Sequence, residues 1–79
     1  MKTKFKMPNV GDHIWLKRNI HILESECVVA ELDEKEYCVI NLESGKGIRD
    51  EYGDLICEYS ISELLDEIQK YYFIYLMED

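Results

Sequence analysis

The chain has no Cys-x-x-Cys pair, one proline, four glycines, and no apolar run near the ~20 residues that a bilayer span needs. Each shortage removes a class of protein. Three cysteines, Cys27, Cys38 and Cys57, are odd in number and widely spaced, which argues against a disulfide framework or a zinc site and predicts buried free thiols in a reducing compartment. The scarcity of proline and glycine, with 47% hydrophobic and 33% charged residues, belongs to a compact chain and not to a disordered tail. The opening MKTKFKMPNV is basic, but no apolar stretch of signal-peptide length follows it. The expectation is a soluble, cytoplasmic protein with no membrane partner.

Positive charge is scarce as well, and its scarcity is local. Residues 1–49 carry eight acids and eight bases, whereas residues 50–79 carry nine acids against Lys70 alone, so the net charge of −8 arises entirely in the last thirty residues. A field of that sign repels phosphate backbones, which disfavours nucleic acid as a partner. Lys2, Lys4 and Lys6 form the one basic arm, read most simply as a solvated terminus.

Seventy-nine residues make a single domain. A domain of this size buries about 60% of its unfolded surface and has roughly 4–12 kcal/mol of stability. The chain divides into a basic arm at 1–9, a β-rich part at 10–59 and a helix at 60–79. In DHIWLKR, Ile14 and Leu16 alternate with His13, Trp15 and Lys17, the period of a strand. Asn19 to Glu26 reads as a structured loop. CVVAELDEKEYCVINLESG reads as a hairpin closing on Asp33 to Glu36, with Asp33 opposite Glu36, Ala30 opposite Val39 and Val28 opposite Asn41. That register puts Cys27 and Cys38 on one face. Short strands are expected around Ile48 and from Leu55 to Tyr59, with turns at Gly45, Gly47 and Gly53. The fold class is therefore α+β, an antiparallel barrel or sheet of four to five strands with a C-terminal α-helix packed on it.

The order of GDHIWL, an acidic turn between two strands, a strand ending in ESG, a short strand and a helical turn resembles SH3-like small β-barrels over roughly residues 10–65. The resemblance is one of layout and carries no functional residue. GDHIW also looks like the opening strand of toxin ribonucleases with SH3-like barrels, but the Arg-Pro strand and basic loops of that family are missing.

No motif for chemistry stands out. Gly45-Lys46-Gly47 lacks the first glycine and the hydroxyl residue of a phosphate loop, since Ile40 and Gly47 occupy those places. His13 and His21, with Asp12, Glu24 or Cys27 near them, match no metal-ligand spacing. The cysteines lie in apolar patterns that suppress thiolate formation. The reading is of a protein that is not an enzyme and uses no cofactor. Aromatic residues point elsewhere: SH3-like domains present Trp and Tyr beside acidic loops to bind peptides, and Trp15, Tyr37, Tyr52 and Tyr59, with Glu24 and Glu26, are candidates for such a groove, with Trp15, Tyr37 and Tyr52 also candidates for a partner surface.

In the last stretch, YSISELLDEIQKYYFIYLMED, Ser60 and Glu63 fit a capping box and Tyr59 could staple onto Leu64. Helical spacing then places Ile61, Leu64, Leu65, Ile68, Tyr71, Tyr72, Tyr75 and Leu76 in one inward stripe. Phe73, Ile74 and Met77 fall on the back or flank of that helix, beside Glu78 and Asp79. YYFIYLM is also rich in strand formers, but no Gly, Pro or Asn separates it from the helix. An apolar patch with an acidic rim at Phe73, Ile74, Met77, Glu78 and Asp79 predicts docking to a protein partner with a basic surface. The small size and acidic field resemble accessory proteins of bacteriophages and mobile elements, some of which inhibit host nucleic-acid-handling or defence proteins. The alternatives are a nucleic-acid-binding barrel using the lysine arm and a homodimeric structural protein.

Overall fold

The computed structural model describes residues 7–18 and 23–76. Its strands are β1 (His13–Lys17), β2 (Ser25–Glu31), β3 (Tyr37–Asn41) and, after the helix α1 (Ile61–Ile68), β4 (Phe73–Leu76). They form one antiparallel sheet in the order β3-β2-β1-β4, so the α+β layout holds, with the helix set between the third and fourth strands. The predicted loop to Glu26 is shorter, because Ser25 and Glu26 already belong to β2.

Alternation along β1 works as the sequence implies. Ile14 and Leu16 are buried, and with Cys27, Val29 and Val39 they make the inner face of the sheet. Leu64, Leu65 and Ile68 of α1 close this core from one side, joined by Ile48 and Ile56 from the segment between β3 and α1. Each of these large side chains contributes about 1.5–3 kcal/mol when removed from water.

The hairpin register differs from expectation by one residue. Val29 pairs with Val39, Ala30 with Cys38 and Cys27 with Asn41. The cause lies in the turn: Asp33–Lys35 form a single 3-10 turn, Lys35 has φ 79, and Leu32 N donates to Glu36 O at 2.7 Å. A three-residue loop closed by a left-handed residue shifts pairing by one position relative to a two-residue turn, and a slip of one exchanges the faces of one strand against the other. Cys27 therefore faces the helix-covered core, whereas Cys38 points to the opposite side of the sheet.

Beyond β3 the chain doubles back along its free edge. The Asn41 side chain accepts from Glu43 N and Ser44 N at 2.7 and 3.2 Å, Gly45 takes φ 75, and Ile48 N then donates to Val39 O at 2.9 Å. Residues 42–45 thus make the turn, and Lys46 and Gly47 already pair with β3. Where short strands were expected around Ile48 and from Leu55 to Tyr59 the chain forms no strand, only isolated bridges that join Ile40 to Gly47, Arg49 to Leu55 and Tyr37 to Glu58.

The largest correction concerns residues 60–79. Ser60 does cap the helix, accepting from Glu63 N at 3.1 Å and donating its hydroxyl to Glu63 Oε1 at 3.3 Å. Tyr59 is 71% exposed, so it does not staple onto Leu64. The helix then stops at Ile68: Tyr71 N and Tyr72 N both turn back to Ile68 O at 2.9 Å, and the next residues run out as β4. Strand formers in succession, next to a β1 edge in need of hydrogen bonds, favour pairing over three further helical turns. Tyr75 accordingly leaves the inward helical stripe for the outer face of a strand. Ser60→Ala is expected to lower stability by about 0.5–2 kcal/mol in urea denaturation, because Glu63 N loses its acceptor.

Candidate protein-docking surface

Among the described residues, those proposed for a partner do not form one patch. β4 pairs with β1 so that Leu16 meets Ile74, Trp15 meets Tyr75 and Lys17 meets Phe73. Ile74 accordingly packs against the core, which removes it from the docking set. The same alternation turns Phe73 and Tyr75 outward at 48% and 44% exposure, beside the half-buried Trp15. Lys17 Nζ stands 5.5 Å from the Tyr75 ring centroid, so a cation borders this aromatic face, while Arg18 lies 5.4 Å from the ring of Tyr72, which packs on the core. His13 Nδ1 and Glu26 Oε2, 2.6 Å apart, continue the face onto β2. Met77, Glu78 and Asp79 lie outside the described residues, as do Lys2, Lys4, Lys6 and His21.

Tyr37 is a core contact and not a surface residue. It packs on the buried cluster and exchanges backbone hydrogen bonds with Glu58. Tyr52 is 79% exposed, on the loop that follows Arg49. That loop is built by Asp50, whose Oδ1 accepts from Tyr52 N and Asp54 N at 2.9 Å each, and by Gly53 at φ 87. Arg49 donates to Gly53 O at 2.8 Å and Tyr72 donates its hydroxyl to Arg49 O at 3.4 Å, which ties the loop to the chain just after α1.

Acids gather where these segments meet. The Tyr71 phenol is held above its ordinary range by burial first and then by the charges of Glu51, Glu67 and Asp50. Lys70 is raised by its hydrogen bond and ion pair with Glu67, 3.1 Å away, with Tyr71 and Glu58 adding to it. Charges from the loop and from α1 thus reach Tyr71, and Tyr52 and Tyr59, the chain neighbours of Glu51 and Glu58, are both exposed. The acidic rim expected at Glu78 and Asp79 lies outside the described residues, and the acids whose charges reach Tyr71 are Glu51, Glu67 and Asp50. Helical spacing puts Tyr71 in the inward stripe, so the sequence does not mark it as a partner residue, whereas Tyr59 is among the groove aromatics.

Among the described residues no group of three or more His, Cys, Asp or Glu is placed to hold a metal ion, and no helix is long and apolar enough to cross a membrane. Compared with known protein families, curated proteins and solved structures, the chain gives no match.

Proposed function

We propose that this protein is a non-enzymatic interaction module that binds a protein partner with a basic surface through Glu51, Tyr52, Tyr59 and Glu67. The reading is supported by the charges of two segments, Glu51 and Glu67, that both reach Tyr71, and by Tyr52 and Tyr59, neighbours in sequence of Glu51 and Glu58 and more than two-thirds exposed. Complementary charge steers such a partner and excludes anionic ones, while exposed tyrosine rings supply contact area at low entropic cost. An SH3-like reading of the layout is supported by the way the segment from Gly47 to Glu58 wraps the edge of β3. The phage-accessory reading, in which the partner is a host nucleic-acid-handling or defence protein, rests on small size and the acidic field. The aromatic face of Phe73, Tyr75 and Trp15 favours a second reading, self-association into a homodimer.

One capture experiment separates these readings. Tagged protein is incubated with extract of its native cell, and captured species are quantified by mass spectrometry. Glu51→Lys with Tyr52→Ala and Tyr59→Ala changes only exposed positions, so its melting curve should match the parent while capture of a specific protein falls by about thirtyfold or more. Phe73→Asp should leave that capture intact. Loss with Phe73→Asp alone would move the interface to the sheet face, a dimer in sedimentation abolished by it would favour self-association, and capture of RNA or DNA with a steep salt dependence would favour the lysine-arm alternative.

A further inference from the structure

We infer that Cys38 and Cys57 form a cross-strand disulfide site, open in the reduced protein and closed by thiol–disulfide exchange with a small disulfide oxidant. Backbone geometry carries the assignment. Tyr37 N donates to Glu58 O at 2.7 Å and Glu58 N donates to Tyr37 O at 3.1 Å, the reciprocal exchange of a hydrogen-bonded antiparallel pair. One step along, Cys38 comes opposite Cys57. This next position is the non-hydrogen-bonded kind, where opposed Cα atoms lie about 4.5–5.5 Å apart and side chains share a face. A disulfide needs Cα atoms about 4.4–6.8 Å apart, the span that ordinary pairing next to the Tyr37–Glu58 bridge would give, although one step further Val39 O and Ile56 N both turn to Ile48.

The side chains agree with that register. Tyr37 and Glu58 belong to one face, which leaves Cys38, Cys57 and Glu36 together on the other, and Cys57 Sγ donates to Glu36 Oε2 at 3.9 Å. The Cys38 thiol is raised by burial and by the charge of Cys57, as two neighbouring sulfurs require. Cys27 is excluded: it is fully buried on the opposite side of the sheet, and its thiol is pushed up to about 11, first by burial.

Access decides the order of steps. Cys38 is sealed, whereas Cys57 is half-buried and meets the oxidant first. Its thiolate attacks one sulfur of oxidised glutathione, forming a mixed disulfide and releasing one glutathione thiolate. Cys38, once deprotonated, attacks the Cys57 sulfur, forming the internal bond and releasing the second glutathione thiolate. Two protein thiols are oxidised and one glutathione disulfide is reduced to two thiols. Burial and the Glu36 and Glu58 charges raise the Cys57 thiol, so closure is slow at neutral pH and accelerates as pH rises. Closed, the bond fastens the Leu55–Glu58 segment to β3. This inference stands whether or not the acidic surface binds a partner.

The test uses the whole native chain with oxidised glutathione at mildly alkaline pH. The expected product is a monomer lighter by two hydrogens, with a peptide linking Cys38 to Cys57 and a melting temperature raised by about 10 °C, reversed by dithiothreitol. Glu36→Gln should speed closure several-fold, and Cys57→Ser should abolish it while leaving the reduced protein folded. A bond involving Cys27, a stable glutathione adduct on Cys57 without closure, a disulfide-linked dimer, or persistence of the mass loss in Cys57→Ser would each overturn the assignment. So would an unreacted native protein under conditions that oxidise the same chain in urea.

Discussion

Ile68→Asp is expected to yield a chain with no cooperative unfolding transition and a far-UV spectrum of unfolded protein. Ile68 is fully buried at the last turn of α1, in the cluster with Ile14, Leu64 and Val29. An unpaired carboxylate there costs several kcal/mol whether it stays charged or takes up a proton, and the void left by the isoleucine adds to that. A domain with roughly 4–12 kcal/mol in total has little left after such a loss. Ile68→Ala should be milder, at about 2–5 kcal/mol in urea denaturation. A substitution at Asp66, exposed on the same helix, should stay within about 0.5 kcal/mol. A folded Ile68→Asp protein would mean that α1 does not cover the sheet.

Ile74→Asp and Phe73→Asp, adjacent in sequence, should differ by several kcal/mol. On β4 the side chains alternate, so Ile74 lies opposite Leu16 and packs on the core while Phe73 lies opposite Lys17 and is 48% exposed. Placing a carboxylate at 74 buries charge, whereas at 73 it meets solvent and the Lys17 ammonium. The urea midpoint of Phe73→Asp should remain close to that of the parent, within about 1 kcal/mol, and Ile74→Asp should unfold at far lower urea. Equal effects at the two positions would argue against a strand and restore the continuous helix, in which both residues stand away from the inward stripe.

The contrast between Phe73 and Ile74 also marks how far local pattern reaches. Within β1 and α1, one-sided burial leaves a period in the residues themselves: two for Ile14 and Leu16, 3.6 for Ile61, Leu64, Leu65 and Ile68. Ser60 with Glu63 announces the helix start because the cap is a contact between near neighbours. Those features, the acidic second half and the absence of paired-cysteine spacing were legible without coordinates.

Three others were not, and each depends on a partner distant in sequence. The end of α1 carries no breaker residue; the helix stops because the edge of β1, more than fifty residues earlier, offers YFIYL a ladder of hydrogen bonds. The register of β2 on β3 turned on the backbone of Lys35, whose φ 79 is uncommon for a lysine and has no signature in DEKE. The acids whose charges reach Tyr71 were hidden for the same reason. Residues 50–59 and 67–71 each look like ordinary solvated acids with scattered tyrosines, and only packing brings Glu51, Glu67 and Tyr71 into one field. Likewise Cys38 and Cys57 become neighbours through the Tyr37–Glu58 bridge alone. What the amino-acid sequence determined by itself was the set of local periods and the sum of the charges. Which strand edge each segment found, and hence which side chains meet, was decided by tertiary pairing, because hydrogen-bonded edges and desolvated contacts join residues whose identities place no constraint on one another along the chain.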